Sequence, residues 1–199
     1  MFGYPDTCEK CDNCQLCVRP YYRQGTGKKL MLIGQDPTIF RKPERVKYVL
    51  MLNEKNGQLS RWLSDLIGEK IFDSLTVYAT NLVKCSFKQP PSQFQAGGFA
   101  FLKPYFERCK EYLIREIVSY SPDVVMTFGE PTHRLFVSIL DDNKFGKTMS
   151  EDFTGHFVNV RLRNTSFLYS PCLHIKTFRV AEKYGNKVTL FKRRMKDYL

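Results

Sequence analysis

An acid, Asp36, sits in the phrase Gly34-Gln35-Asp36-Pro37 at the end of a short apolar run, Lys29-Leu30-Met31-Leu32-Ile33. An amide, Asn81, closes the next such run, which begins at Thr76. In open α/β sheets ligands bind at the carboxyl ends of the strands, so both side chains are delivered to the place where chemistry is usually done. A carboxylate there can orient a water molecule or stabilise a developing positive charge. A primary amide carries both a donor and an acceptor and can read the polar edge of a ligand. Taken singly, Asp36 reads equally well as a helix N-cap or turn residue, and Asn81 as a turn residue closing a strand. Their recurrence at successive strand ends favours a site.

The elements that must hold these residues follow from apolar periodicity. Strands are predicted over Leu30–Gly34, Thr76–Leu82, Asp123–Phe128 and Ser166–Ser170, with helices over Gln58–Ile67, Lys103–Ser119 and Pro131–Leu140. A last helical pattern runs from Leu173 towards Leu199, interrupted near Gly185-Asn186, and Phe157–Leu162 reads as an extra strand or hairpin. Strands alternating with helices predict an α/β fold, a three-layer α/β/α sandwich around a central four-stranded, mainly parallel sheet. A chain of 199 residues can bury one substantial core and is short for two, so a single domain over 1–199 is expected. The segment Ser86–Gly98, rich in Pro, Gln and Gly, is the long irregular connection, and it begins directly after Cys85.

Seven cysteines and a formal charge of +11 are the remaining signals. Cys8, Cys11, Cys14 and Cys17 recur at every third position in a segment of about residues 8–19, whereas Cys85, Cys109 and Cys172 are scattered. A two-residue gap lets two thiolates turn onto one metal, so the repeat points to a metal site whose membership stays open. The four N-terminal cysteines could form it alone, or one N-terminal pair could join Cys85 and Cys109. The third reading is reduced cysteines without metal, which leaves the regular spacing unexplained. Lys and Arg spread along the whole chain favour a polyanionic partner, with concentrations at Arg41, Lys42, Arg45 and Lys47 and again from Lys187 to Lys196. No run approaches the roughly 18 apolar residues of a membrane span, and Met1–Arg19 is polar where a signal peptide has an apolar centre. A cytoplasmic monomer that does not engage membrane is expected.

In order and spacing, Cys11-x-x-Cys14-x-Leu16, Gly-Gln-Asp-Pro, Thr80-Asn81-Leu82-Val83-Lys84-Cys85, Cys109-Lys110-Glu111-Tyr112-Leu113 and Thr127-Phe128-Gly129 together resemble the iron–sulfur uracil-DNA glycosylases of bacteria and archaea. The resemblance spans about Cys11 to Pro171. It implies a 4Fe-4S cluster held by Cys11, Cys14, Cys85 and Cys109, with Cys8 able to replace one of the first two. The Gly-Gln-Asp-Pro form is that of the cluster-free branch of the superfamily; iron–sulfur members usually carry Gly-Glu-x-Pro-Gly. By that likeness Asp36 orients the attacking water, the backbone at Gly34 and Gln35 contacts the pyrimidine, and Asn81 pairs with its O4 and N3 edge.

The chain departs from the family pattern in three places. Where the family has His-Pro-Ser after its last strand, this chain reads Ser170-Pro171-Cys172, so a hydroxyl replaces the imidazole that donates to the developing oxyanion. His174, four residues on, is the candidate to compensate, and Ser170-Pro171-Cys172 to grip the strand. Thr38 occupies the place of a thymine-excluding tyrosine. The ring that stacks on the flipped base has no clear counterpart: alignment on Gly57-Gln58-Leu59 puts Leu52 there, and Phe40 is nearby. The expectation is a monofunctional DNA glycosylase that flips uracil or a related damaged base out of DNA and hydrolyses its glycosidic bond. The alternative is a glycosylase fold that has lost efficient catalysis and binds nucleic acid or a protein partner.

Overall fold

The computed structural model describes residues 2–5, 18–37, 46–87, 89–94, 98–142, 144–146, 148–174 and 184–199. Its centre is the run 29–34. Leu30 to Gly34 are buried without the alternation of a half-exposed strand, which is what a parallel strand covered on both faces requires. This strand, β2 (Lys29–Gly34), follows the short β1 (Tyr21–Arg23). After it come α1 (Gln58–Ile67), α2 (Glu69–Ser74), β3 (Thr76–Asn81), α3 (Phe99–Tyr120), β4 (Val124–Phe128) and α4 (Glu130–Val137). The chain then continues through α5 (Met149–Asp152), the hairpin β5 (Val158–Leu162) and β6 (Thr165–Cys172), and α6 (Asn186–Tyr198).

The sheet has six strands in the order β1-β3-β2-β4-β6-β5. The expected four-stranded sheet is thereby corrected. Its four parallel strands, β3-β2-β4-β6, form the centre, and an antiparallel strand closes each edge: β1 on β3, and β5 on β6. Three-residue β1 was too short for periodicity to find, whereas the 157–162 segment is indeed the outer arm of a hairpin. Beyond Ser170, β6 runs on to Cys172, pairing Thr127 with Pro171 and Phe128 with Cys172.

Alternation along the strands builds two cores. Leu30, Leu32, Val77, Ala79, Val124 and Met126 face one layer of helices, meeting Leu63 and Ile67 of α1 and Phe191 and Met195 of α6. Met31, Ile33, Tyr78 and Val125 face the other, meeting Phe106, Leu113 and Ile117 of α3 and Phe136 of α4. Each core is apolar over most of its area, and its removal from water is the main favourable term in folding. Parity therefore sends Gly34 and Asn81 to the α1/α6 face and Thr80 and Thr127 to the α3/α4 face, a division that decides which polar groups can meet.

Candidate active site at the tips of two parallel strands

Gly34 and Asn81 are register partners at the last rung of the β2/β3 ladder. The ladder continues past the strands: Leu82 N–H donates to Gly34 O at 2.9 Å and Val83 N–H to Gln35 O at 3.0 Å. The two loops leaving the sheet are thus bonded to each other as they begin to carry the candidate residues. Gly34 has to be glycine, because a Cβ there would collide with Asn81 Oδ1 and crowd Leu50. The amide oxygen of Asn81 lies across the backbone of the Gly-Gln-Asp turn, two residues before Asp36.

Asp36 is 9 % exposed, and its Oδ1 accepts from Gln35 Nε2 at 2.8 Å. Burial raises its pKa to about 6, the Gln35 amide opposing part of that shift. Near neutral pH it is a carboxylate with little solvation, poised to take a proton or to stabilise adjacent positive charge. Asn81 is 3 % exposed, and its side-chain amide makes no hydrogen bond to another described residue. A buried amide is ordinarily satisfied within the protein. One that is not has its donor and acceptor available for a ligand's edge.

Leu50 was not among the sequence candidates. It rides in the turn Val49–Met51, which is tied back through Val49 N–H to Arg19 O at 2.9 Å. Leu50 and Met51 both adopt positive φ, +59° and +51°, a conformation costly for side chains of this size. The turn brings Leu50 over Gly34, whereas Leu52, the sequence candidate for stacking, is buried in the core. Nothing in composition or spacing marks a leucine held in the left-handed region. Thr38 and Phe40 lie outside the described residues.

On the other half of the sheet, Ser170 lies inside β6, level with Met126, and its hydroxyl donates to Pro171 O at 3.1 Å. It shares the face of Asn81 but sits two residues below the strand end, where Cys172 stands. The Cys172 thiol is buried, its pKa pushed well up by desolvation, and it donates weakly to Leu173 O at 3.4 Å. His174 follows the strand and is exposed. Sequence reasoning also missed His133 of α4, which is fully buried on the α3/α4 face. Its Nε2 donates to Asp152 Oδ2 and its Nδ1 accepts from Tyr169 OH, each at 2.7 Å, and Tyr169 in turn accepts from Thr127 Oγ1 at 2.7 Å. Desolvation lowers the His133 pKa against the upward pull of Asp152, consistent with a neutral ring.

Of the nominated metal ligands, Cys85 and Cys109 are described, 1 % and 2 % exposed, on the segments that follow β3 and form α3. Cys11 and Cys14, with Cys8 and Cys17, lie outside the described residues, and among those that are described no group of three or more potential ligands gathers. The residues bracketing the N-terminal cysteines do converge on Cys85's neighbourhood. Tyr4 OH donates to Val18 O, and the Tyr4 ring lies 5.6 Å from the ammonium of Lys84. Tyr4 thus lies near the residue preceding Cys85.

An α/β sheet whose adjacent parallel tips present an acid and an amide is the architecture that holds a polar ligand at the carboxyl edge of the sheet. The family model of the Uracil DNA glycosylase superfamily matches residues 21–191, and the chain belongs to that superfamily. The general activity of that superfamily is that of a DNA glycosylase, a hydrolase acting on DNA. A comparison with curated proteins gives no match. No helix among the described residues is long and apolar enough to cross a membrane.

Proposed function

We propose that this protein excises uracil, or a closely related deaminated base, from DNA, as a monofunctional hydrolase of the N-glycosidic bond. The observation carrying this reading is the pairing of a carboxylate of raised pKa with an amide that no other described residue engages, on two loops bonded to each other at the last rung of β2/β3. The target nucleotide must leave the stack, because its glycosidic carbon is inaccessible within the helix. Once it is extruded, Asn81 donates to the O4 and accepts from the N3–H of uracil, and a cytosine edge mismatches both. Asp36, ionised above about pH 6, orients water towards the sugar carbon and stabilises the oxocarbenium-like cation. The backbone of Gly34 and Gln35 flanks the base, whereas the Cys172 side chain, buried in the core, has no surface with which to grip the strand.

Cys11, Cys14, Cys85 and Cys109 would hold a 4Fe-4S cluster, whose contribution is to brace the loop after β3. The convergence of Tyr4, Val18 and Lys84 supports that ligand set. DNA phosphates are the partner that the charge of +11 suits.

A second reading is a glycosylase fold with weakened catalysis that binds nucleic acid or a protein. Ser170 favours it: the residue in the histidine's place is 1 % exposed and already bonded to Pro171 O, so it has no free reach towards a base. Single-stranded and duplex oligonucleotides bearing one uracil, incubated with purified protein and then cleaved with alkali, separate the two. Strand scission that disappears in Asp36→Asn and Asn81→Ala supports catalysis. Intact strands for uracil, hypoxanthine and xanthine alike, with binding retained, leave the second reading in its place.

A further inference from the structure

Lys84 is the one lysine buried among the described residues, and it has no exposed surface from which to meet DNA. Its ammonium has three protons and three acceptors: Thr80 Oγ1 at 2.8 Å, the main-chain oxygen of Asn81 at 2.6 Å, and Glu116 Oε2. Glu116 is equally buried and is held from its other side, its Oε1 accepting from Tyr78 OH at 2.7 Å and Thr80 Oγ1 at 2.9 Å. Every polar atom of this knot is satisfied. Such a pair gives little net stability over an apolar replacement, and its best-attested use is to fix one arrangement out of several.

What the knot fixes is a single peptide group. The unit joining Asn81 to Leu82 has its carbonyl on the Lys84 ammonium and its N–H on Gly34 O at 2.9 Å. Pinned at both ends, this peptide cannot rotate, and the Cβ direction of Asn81 is set with it. The anchors come from different places: Gly34 from the turn that carries Asp36, and Lys84–Glu116 from the junction of the Cys85 loop with α3, the helix of Cys109. We infer that Lys84, held by Glu116, is a positioning residue for Asn81, aligning the base-reading amide with the Asp36 turn and tying that alignment to the cysteine-bearing elements. The inference builds on the proposed role of Asn81, but the restraint on the peptide is testable without it.

The test replaces both charges at once, Lys84→Met with Glu116→Gln, so that neither is stranded in the core. Amide exchange of Leu82 should accelerate by about tenfold or more relative to Val83, whose N–H bonds Gln35 O and does not share the pinned peptide. Turnover on uracil-containing DNA should fall by about 10- to 100-fold with KM changed by less than about threefold, as expected for misalignment rather than weakened binding. Arg163→Ala, which breaks a surface pair with Glu111 of the same helix, should move neither readout. Should the double variant fail to fold, Thr80→Val removes one of the ammonium's three acceptors and should accelerate Leu82 exchange in the same direction by about threefold. Equal protection of Leu82 and Val83 in these variants overturns the inference whatever the enzyme does. Selective loosening of Leu82 in a protein whose wild type releases no base would uphold the restraint and remove the glycosylase reading instead.

Discussion

The two halves of the sheet use buried polarity differently. In the β2/β3 half, polar groups reach the strand tips: Asp36 and Asn81 lie at the carboxyl edge, and the Lys84–Glu116 knot braces them from the α3 side. In the β4/β6 half, the corresponding tip residues are Phe128 and Cys172, while the polar chain Thr127–Tyr169–His133–Asp152 runs beneath them on the opposite face. Both nitrogens of that histidine are occupied, so it is not the imidazole missing from the end of β6. One half is arranged to offer groups to a ligand. The other consumes its groups in holding β6, α4 and α5 together.

The harshest way to break this contrast is at the cysteines. On the ligand set proposed above, Cys85→Ser or Cys109→Ser abolishes visible absorbance near 400 nm and lowers thermal stability, because both side chains are buried in the half that carries the site. Cys172→Ser in the other half keeps the colour, its thiol being held protonated by burial. Loss of colour in Cys172→Ser, or its retention in Cys85→Ser, reverses the assignment. Next in size is chemistry. Asn81→Ala and Asp36→Asn each reduce the rate of uracil release by about 100- to 1000-fold in single-turnover assays, the usual scale for one group acting on a transition state. His133→Gln should leave that rate within about threefold while lowering stability by about 2 kcal/mol in urea titrations, the cost of a broken buried chain. A reversed outcome, with activity following His133, would place chemistry in the β4/β6 half.

Much of this contrast was open to reading in the residues, and part of it was hidden for physical reasons. The places of Asp36 and Asn81 at strand ends were legible because a strand buried on both faces is a continuous apolar run and its end is sharp in sequence. The central parallel strands were found by the same signal. The antiparallel edges were not counted, since three residues, Tyr21–Arg23, cannot show a period. The strand expected over Ser166–Ser170 runs on to Cys172, because the missing N–H of Pro171 is tolerated at the end of the ladder. Lys84 and Glu116 are 32 residues apart, and a lysine or glutamate is overwhelmingly a surface residue by type. Only the packing of α3 on β3 shows that these two are not. His133 was missed for the same reason, its partners lying on α5 and β6. Leu50 depends on a left-handed backbone that no local pattern encodes.

A finer comparison concerns pH, where the two halves should pull in opposite directions. Asp36 has its folded-state pKa raised from 3.8 to about 6, so the folded protein binds this proton more tightly than the unfolded chain. Its ionisation opposes folding, and stability falls as pH rises between those values. Replacing it with asparagine should raise stability above pH 6 by up to about 3 kcal/mol, a gain that vanishes below pH 4. His133 has its folded pKa lowered from 6.5, so the folded protein sheds that proton and stability falls as pH drops below 6.5. In Asp36→Asn the acid limb of the melting-temperature profile should therefore steepen, and in His133→Gln it should flatten. The same carboxylate gives uracil release a rising limb with a midpoint near pH 6. A flat activity profile from pH 5 to 8 would count against Asp36 as the ionised group.

The smallest effect expected comes from α6, which packs against α1 and, through Phe191, against Phe153 and Phe157 just before β5. Val188, Phe191 and Met195 face the core, leaving Lys192, Arg193 and Lys196 exposed on the outer surface, and Arg193 lines a recess with Lys187 and Thr154. Arg194 is engaged with Asp197 at 3.6 Å and is the weaker candidate for a phosphate. If this half holds DNA rather than reacting with it, Arg193→Ala with Lys196→Ala should weaken binding by only severalfold at moderate salt and equally for any sequence. Removing a cation that neutralises one phosphate reduces the slope of log affinity against log salt by about one, so the double variant should show a slope shallower by up to about two. Single-turnover release at saturating DNA should be unchanged, because neither residue touches the reacting base. An unchanged salt slope would return α6 to the role of a solvated helix face. A fall in the saturated rate would mean that the two halves are not divided between reaction and grip, since a surface cation on the far side would then be influencing the acid and amide at the β2/β3 tips.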